Sequence, residues 1–187
     1  MIKITKLFTA FVVLALACVF TGCKEDNPQP ALEYKTEGFI KGKLTGISKD
    51  NSYTFNDDFN FTQYSVLVGG TSTYKINIDG TFNVNISRAN FGDFGSASMS
   101  FKLSNATDTT PENIDISFNY SKELNDKFVS FDIETDADNA QAITDFTFDA
   151  TTGKVKGKFT ISGPENSTGK SANVTGDFEV TAKKQVE

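Results

Sequence analysis

Residues 132–145, "DIETDADNAQAITD", set carboxylates at alternate positions, and a count begun at Glu134 reaches Asp145 at its twelfth place. Calcium loops wrap oxygen ligands around the ion with spacing of this kind. Glu134, Asp136, Asp138 and Asp145 are therefore the candidate metal ligands, and calcium is the one cofactor they would hold. Against this, Asn139 stands where such a loop turns on glycine, and no helical pattern flanks the stretch. The competing reading is a solvated acidic loop behind a strand that carries Val129, Phe131 and Ile133.

A carboxylate pair is the second chemical option. Asp57 and Asp58 adjoin in "NDDF", 56–59, and point apart in an extended chain. A retaining glycosidase holds its carboxyls about 5 Å apart and an inverting one roughly 6.5–9.5 Å, a separation that sequence spacing does not fix. Other nucleophile systems are excluded by composition. There is no histidine, and the only two cysteines are Cys18 and Cys23, near the N-terminus. Ser-His-Asp and Cys-His chemistry and histidine-ligated metals are thereby removed. The expectation is a non-enzymatic protein, with a carboxylate-based glycoside hydrolase as the lesser alternative.

The first thirty residues, "MIKITKLFTAFVVLALACVFTGCKEDNPQP", say where such a protein resides. Lys3 and Lys6 precede an uncharged, mostly apolar run from Leu7 to Phe20, followed by small residues and a cysteine. That is a secretory signal, too short and wrongly flanked for a membrane span. "FTGC", ending at Cys23, resembles the lipobox of bacterial lipoproteins, in which the peptidase cuts before a cysteine that carries acyl chains. Cys18 in "ALAC" competes, but it would leave apolar Val19 and Phe20 behind the anchor. A plain secreted protein with a spare cysteine is the bland alternative. The expected organisation is a signal peptide over 1–22, lipidated Cys23 and a Pro28- and Pro30-containing tether over 23–36, and one domain over 37–187. Two or more acyl chains anchor such a domain stably.

Residues 1–22 hold two of the eighteen basic side chains, so their removal leaves sixteen against twenty-four acidic and a net charge of −8. An acidic domain without basic clusters is not expected to bind nucleic acid.

From residue 38 onward the apolar period is two. In "YKINIDGTFNVNI", 74–86, Tyr74, Ile76, Phe82, Val84 and Ile86 share one parity. Keeping them on one face requires Asn77 opposite Thr81, with Gly80 left-handed in a bulged turn. In "FTFDATTGKVKGKFTI", 146–161, a four-residue loop pairs Phe148 with Val155 and, continued regularly, Phe146 with Gly157 and Thr144 with Phe159. The hexapeptides "IKGKLT", 40–45, and "VKGKFT", 155–160, then read as one packing device. Glycine faces in beside apolar neighbours, and the lysines face water and discourage edge pairing. An anion-binding role is the alternative. Further alternation runs through Ala97–Leu103, Ile114–Tyr120, Val129–Ile133 and Val174–Val180, and "FNFTQYSVLV", 59–68, changes parity as a bulge would. "YSKELNDK", 120–127, is the place for a single helical turn. About ten short strands with one wet face predict an all-β fold, an antiparallel β-sandwich or an up-and-down β-barrel.

Three short resemblances add location and modification. "KEDN" behind Cys23 resembles the surface-export signal of lipoproteins in the Bacteroidota phylum. "GKVKGKFTISGPENSTGKSANVTGDFEV", 153–180, resembles the C-terminal hairpin of small uncharacterised lipoproteins of that phylum, with "TGDF" at 175–178. "DTT", 108–110, resembles the O-glycosylation acceptor of their exported proteins, which would modify Thr109. The resemblance implies an all-β fold and the bacterial outer membrane, lipid-anchored and facing the cell exterior, with no assigned activity. The expected function is a binding, adhesion or scaffold module held to the membrane by its anchor. Its partner is a protein, a glycan or a small apolar ligand. The last would need a lipocalin-like barrel whose cavity the eighteen phenylalanines line.

Overall fold

A computed structural model describes residues 34–65, 71–91, 94–166 and 168–185. The expected signal peptide, Cys23 and the expected tether up to residue 33 lie outside the described residues. The chain forms β1 (Tyr34–Ile47), β2 (Thr54–Ser65), β3 (Thr73–Ile76), β4 (Phe82–Asn90), β5 (Gly95–Leu103) and β6 (Glu112–Leu124). It continues with β7 (Lys127–Glu134), β8 (Ala140–Asp149), β9 (Lys154–Pro164), β10 (Ser171–Thr181) and β11 (Lys183–Lys184). The fold is all-β, as the alternation predicts. Strand starts at Tyr34, so the last three residues assigned to the tether belong to β1.

Among the described residues one sheet holds all eleven strands, with the order β7-β6-β5-β4-β2-β1-β10-β9-β8 along its main path. Its ladders are antiparallel except for the two-residue pairing of β11 with β3. β2 and β4 share a single ladder pair, Gln63 with Ala89, and beyond it β4 turns away to pair with β3. The sheet folds over at this corner. Phe59 of β2 then meets Phe118 of β6 at 4.8 Å between ring centroids, and Phe101 of β5 meets Phe146 of β8 at 5.2 Å. The inward series of both halves fill the space between them, among them Ile40, Leu44, Val84, Met99, Phe131 and Phe178. Burying a phenylalanine of this kind stabilises the fold by about 2–3 kcal/mol relative to exposing it.

The sheet stays open, so the barrel alternative is not realised. The terminal strands β7 and β8 are not hydrogen-bonded to each other. Two hairpin turns cover the outer edge of β7 instead. The Lys49 amide donates to Ser130 O (2.8 Å), the Asn166 amide donates to Asp132 O (3.3 Å), and the Asp132 amide donates to Glu165 Oε1 (3.4 Å). Edge groups satisfied in this way offer no ladder for β8 to join.

The β3–β4 turn has the expected register: Tyr74 faces Val84, Ile76 faces Phe82, and Gly80 has φ 82°. The β8–β9 hairpin does not. Phe148 pairs with Val155, but a bulge between Thr144 and Thr147 puts Thr144 opposite Lys158 and Ile143 opposite Phe159. Asp145 takes φ 50° there, and the extra residue keeps both Ile143 and Phe146 buried. The room beside Gly157 belongs to Phe178, whose Cζ would lie 2.8 Å from a Cβ at that position. Residues 120–127 form no helical turn. They close the β6–β7 hairpin through Asn125 and Asp126, both at positive φ (51° and 62°), the conformation a two-residue hairpin loop requires. The parity change in β2 faces a register shift carried by β1, where Glu37, Gly38 and Phe39 bulge between Thr36 and Ile40.

Candidate functional site

Among the described residues, two depressions on outward positions of the sheet stand out. The larger, about 890 Å³, lies over β3 to β7 and is lined by short polar side chains. Ladder register sets them in rows. Thr73, Asn85, Ser100 and Asp115 stand side by side on β3, β4, β5 and β6. Next to them run Ser87, Ser98, Ser117 and Glu134 on β4 to β7. Each alternates along its strand with a core residue, as Ser98 and Ser100 do with Ala97, Met99 and Phe101. The surface offers hydroxyl donors and acceptors flanked by two carboxylates, Asp115 and Glu134. That chemistry suits a hydrophilic ligand.

On the opposite, inward face of β4 lies Arg88, at 1% exposure. Its Nε donates to Glu37 O (2.7 Å) and its Nη1 donates to Ser72 Oγ (2.8 Å) and Ser87 O (2.6 Å). The guanidinium lies 4.8 Å over the Tyr64 ring. Burial lowers its pKa from the ordinary value, while Tyr64 and Glu37 oppose the shift.

The second depression, about 610 Å³, lies on the outer face of β2, β1, β10 and β9, with Lys41, Lys43, Asp58, Lys158 and Asp177 around it. Both lysine–glycine–lysine segments contribute, with their lysines outward as expected. Lys158 Nζ pairs with Asp145 Oδ2 at 2.6 Å, which raises the lysine pKa. Cations and anions alternate here, so the face carries no concentrated positive charge.

The four candidate calcium ligands are not brought together. Glu134 ends β7, Asp136 and Asp138 lie in the turn after it, and the β8 bulge turns Asp145 towards Lys158. Among the described residues, no group of three or more His, Cys, Asp or Glu side chains is placed to hold a metal ion. Asn139, at the glycine place of the calcium pattern, is 8% exposed and closes the turn, its Nδ2 donating to Glu134 O (2.6 Å).

Asp57 and Asp58 diverge as adjacency in a strand requires. Asp57 binds Lys122 Nζ (2.8 Å to Oδ1), which also donates to Tyr53 Oη (2.7 Å). Desolvation works against the Lys122 charge, but the hydrogen bonds to Asp57 and Tyr53 outweigh it and hold the pKa above 10.5. Tyr53 and Tyr64 are thus packing residues. Thr109 is exposed in the β5–β6 loop, beside Asp108, whose carboxylate accepts from Ser104 Oγ (2.7 Å) and the Thr110 amide (2.9 Å). Asp108 thus caps the turn that presents Thr109 to solvent. Cys23 lies outside the described residues.

The serine rows escaped sequence reasoning because they join four strands. Their only local signal was small polar residues alternating with core ones in "GSASMSF" and "NIDISF". The chain matches no protein-family description, no curated protein and no solved structure.

Proposed function

We propose that this chain is a lipid-anchored binding module of a bacterial outer membrane, facing the cell exterior, that receives a hydrophilic ligand in the polar groove over β3 to β7. The signal peptide and the lipobox-like "FTGC" at Cys23 support the anchor. The groove carries the binding reading: rows of serine, threonine and asparagine side chains with two carboxylates, spread over adjacent strands. A glycan, dense in hydroxyls, is the partner class this lining suits. A carrier of a small apolar ligand would need space between the two halves of the sheet, where Phe55, Phe59, Phe61, Phe118 and Phe131 are at most 5% exposed. Glycosylation at exposed Thr109 is compatible with this role.

A screen of soluble bacterial, host and dietary polysaccharides by affinity electrophoresis tests the reading. At least one is expected to retard the protein. Ser98→Arg, at the centre of the serine row, is expected to abolish the retardation without lowering the thermal midpoint. Retardation that survives Ser98→Arg would move the site elsewhere.

Asp115 and Glu134 on one groove favour a glycoside hydrolase as the second reading. It predicts release of chromophore from aryl glycosides, lost in both Asp115→Asn and Glu134→Gln.

A further inference from the structure

The polar groove over β3 to β7 has a charge pattern of its own. Asp115 and Glu134 lie at its β6–β7 end, and no lysine or arginine lines it among the described residues. Both side chains are exposed. Neither has a hydrogen-bond or ion-pair partner among the described residues. The lysines around the groove face other carboxylates. Lys49 pairs at 2.8 Å with Asp132, one outward position along β7 from Glu134. Lys102 stands one outward position along β5 from Ser100, and its register partner is Glu112. Lys75, in the same row, is two strands further off.

Register sets how far apart the two carboxylates stand. Ser117 is the ladder partner of Glu134, and Asp115 lies two residues from Ser117 on the same face of β6. Diagonal neighbours of this kind have Cβ atoms about 7–8 Å apart. An ammonium bonded at about 2.8 Å to one oxygen of each carboxylate bridges about 5.6 Å. One amine therefore fits between these two side chains. Ser98 and Ser100 stand beside Ser117 and Asp115 on β5 and offer their hydroxyls next to that position.

From this geometry we propose that the groove selects a glycan with free amino groups, one protonated amine of which is held between Asp115 and Glu134 while the serine rows take the neighbouring hydroxyls. The inference rests on the groove being a glycan site and names the class of glycan. Hydrogen bonds between charged partners are roughly twice as strong as neutral ones, so an ammonium outcompetes a sugar hydroxyl at this position. Acetylation of the amine removes the charge and adds a carbonyl oxygen, to which two ionised carboxylates have no proton to give. A uronic acid brings a third negative charge. Selection therefore works by repulsion as much as by attraction.

Three defined tetrasaccharides test this by calorimetric titration of the full-length protein: β-1,4-linked glucosamine, its fully N-acetylated counterpart and a uronic acid tetramer. At pH 6 the sugar amine is protonated and the carboxylates are ionised. The aminated tetramer is expected to bind roughly tenfold or more tightly than the N-acetylated one, and the uronate tetramer not to bind. The preference is expected to shrink in high salt, because the site is exposed. Asp115→Asn and Glu134→Gln are each expected to bring the aminated tetramer close to the N-acetylated one, with the thermal midpoint held. Asp177→Asn removes the same charge from the outer face of β10 and is expected to keep the preference. A preference that survives in the Asp115→Asn, Glu134→Gln double variant, or that Asp177→Asn lowers as much, would reduce it to attraction by the net charge and overturn the inference. Aminated and N-acetylated tetramers bound equally, and both lost in Ser98→Arg, would overturn the inference and leave the groove as a glycan site. Binding that persists in Ser98→Arg, or no binding of any tetramer together with no retardation by any polysaccharide, would overturn both.

Discussion

Gly42 and Gly176 face each other across the β1–β10 ladder so closely that a Cβ on Gly42 would stand 2.5 Å from the Gly176 Cα and run into the Thr175 carbonyl. On either side, Phe59 is the register partner of Gly42 and Phe159 that of Gly176, and their rings lie 6.4 Å apart over the pair. The glycines bring two strands and two rings together where the sheet curves inward. Gly42→Ala must push backbone from backbone, and Gly176→Ala must also displace Phe159. Each is expected to cost about 3 kcal/mol or more in urea unfolding. Gly80→Asn, in an open turn at φ 82°, is expected to stay within about 1 kcal/mol.

This pair marks how far the sequence could be read. One-sided alternation gives the inward series of β4, β5, β7 and β10 directly, because one buried face fixes the parity of a strand. The β3–β4 register follows from one further fact, that Gly80 tolerates a left-handed backbone. The β8 bulge escapes the same logic because Asp145, not glycine, carries the positive φ. The only cue was that Ile143 and Phe146 differ in parity. The lysine–glycine–lysine repeat shows which way its glycines face but not that Gly42 has a glycine across from it, since that pairing joins residues 134 positions apart. The polar groove was hidden for the same reason: each strand contributes one or two ordinary outward residues, and only the ladder makes them a surface.

Arg88 supplies a second test. It sits in an inward series otherwise made of Phe82, Val84 and Ile86, and it serves three acceptors from β1, the residue before β3 and β4. Arg88→Ala leaves those acceptors buried and a cavity beside Tyr64, and is expected to destabilise by about 3–5 kcal/mol. Arg88→Lys keeps a charge, but a single ammonium lacks the forked donors needed to reach all three, so about 2 kcal/mol is expected to be lost. Equal midpoints for wild type and Arg88→Lys in urea would show that the fork is not what matters.

The β8 bulge predicts a graded response at Asp145. Asparagine tolerates φ near 50° and loses only an exposed ion pair with Lys158, so Asp145→Asn is expected to change stability by less than about 1 kcal/mol. Asp145→Val places a β-branched residue in a conformation it resists and is expected to cost about 2 kcal/mol. Because Asp145 stands apart from Glu134, Asp136 and Asp138, any rise in thermal midpoint caused by calcium is expected to be the same in Asp145→Asn as in wild type. A calcium response that vanishes in Asp145→Asn would restore the twelve-residue loop as a site.

Four turns share one device, and it makes their contribution to stability depend on acid pH. Asp50 accepts from Ser48 Oγ (2.6 Å) and from the amide and hydroxyl of Ser52 (3.0 and 2.7 Å). Asp79 accepts from the hydroxyl and amide of Thr81 (2.6 and 3.0 Å). Asp108 caps Ser104 and Thr110, and Asp149 caps Thr152 and Thr151. Hydroxyl hydrogen bonds, then amide ones, favour the ionised carboxylate, so all four pKa values fall below the ordinary 3.8, that of Asp50 to about 2. The unfolded chain therefore takes up protons first as the pH falls. The contribution of these turns is complete above the unfolded value of 3.8 and is lost as the pH drops through the folded values, towards 2 for Asp50. The thermal midpoint is expected to decline most steeply below pH 4. In the protein with Asp50, Asp79, Asp108 and Asp149 all changed to asparagine, the cap oxygens remain but do not titrate. That protein is expected to start from a lower midpoint at pH 7 and to lose less of it between pH 4 and pH 2. An unchanged acid slope in the four-fold variant would assign the decline to the other carboxylates of this acidic chain.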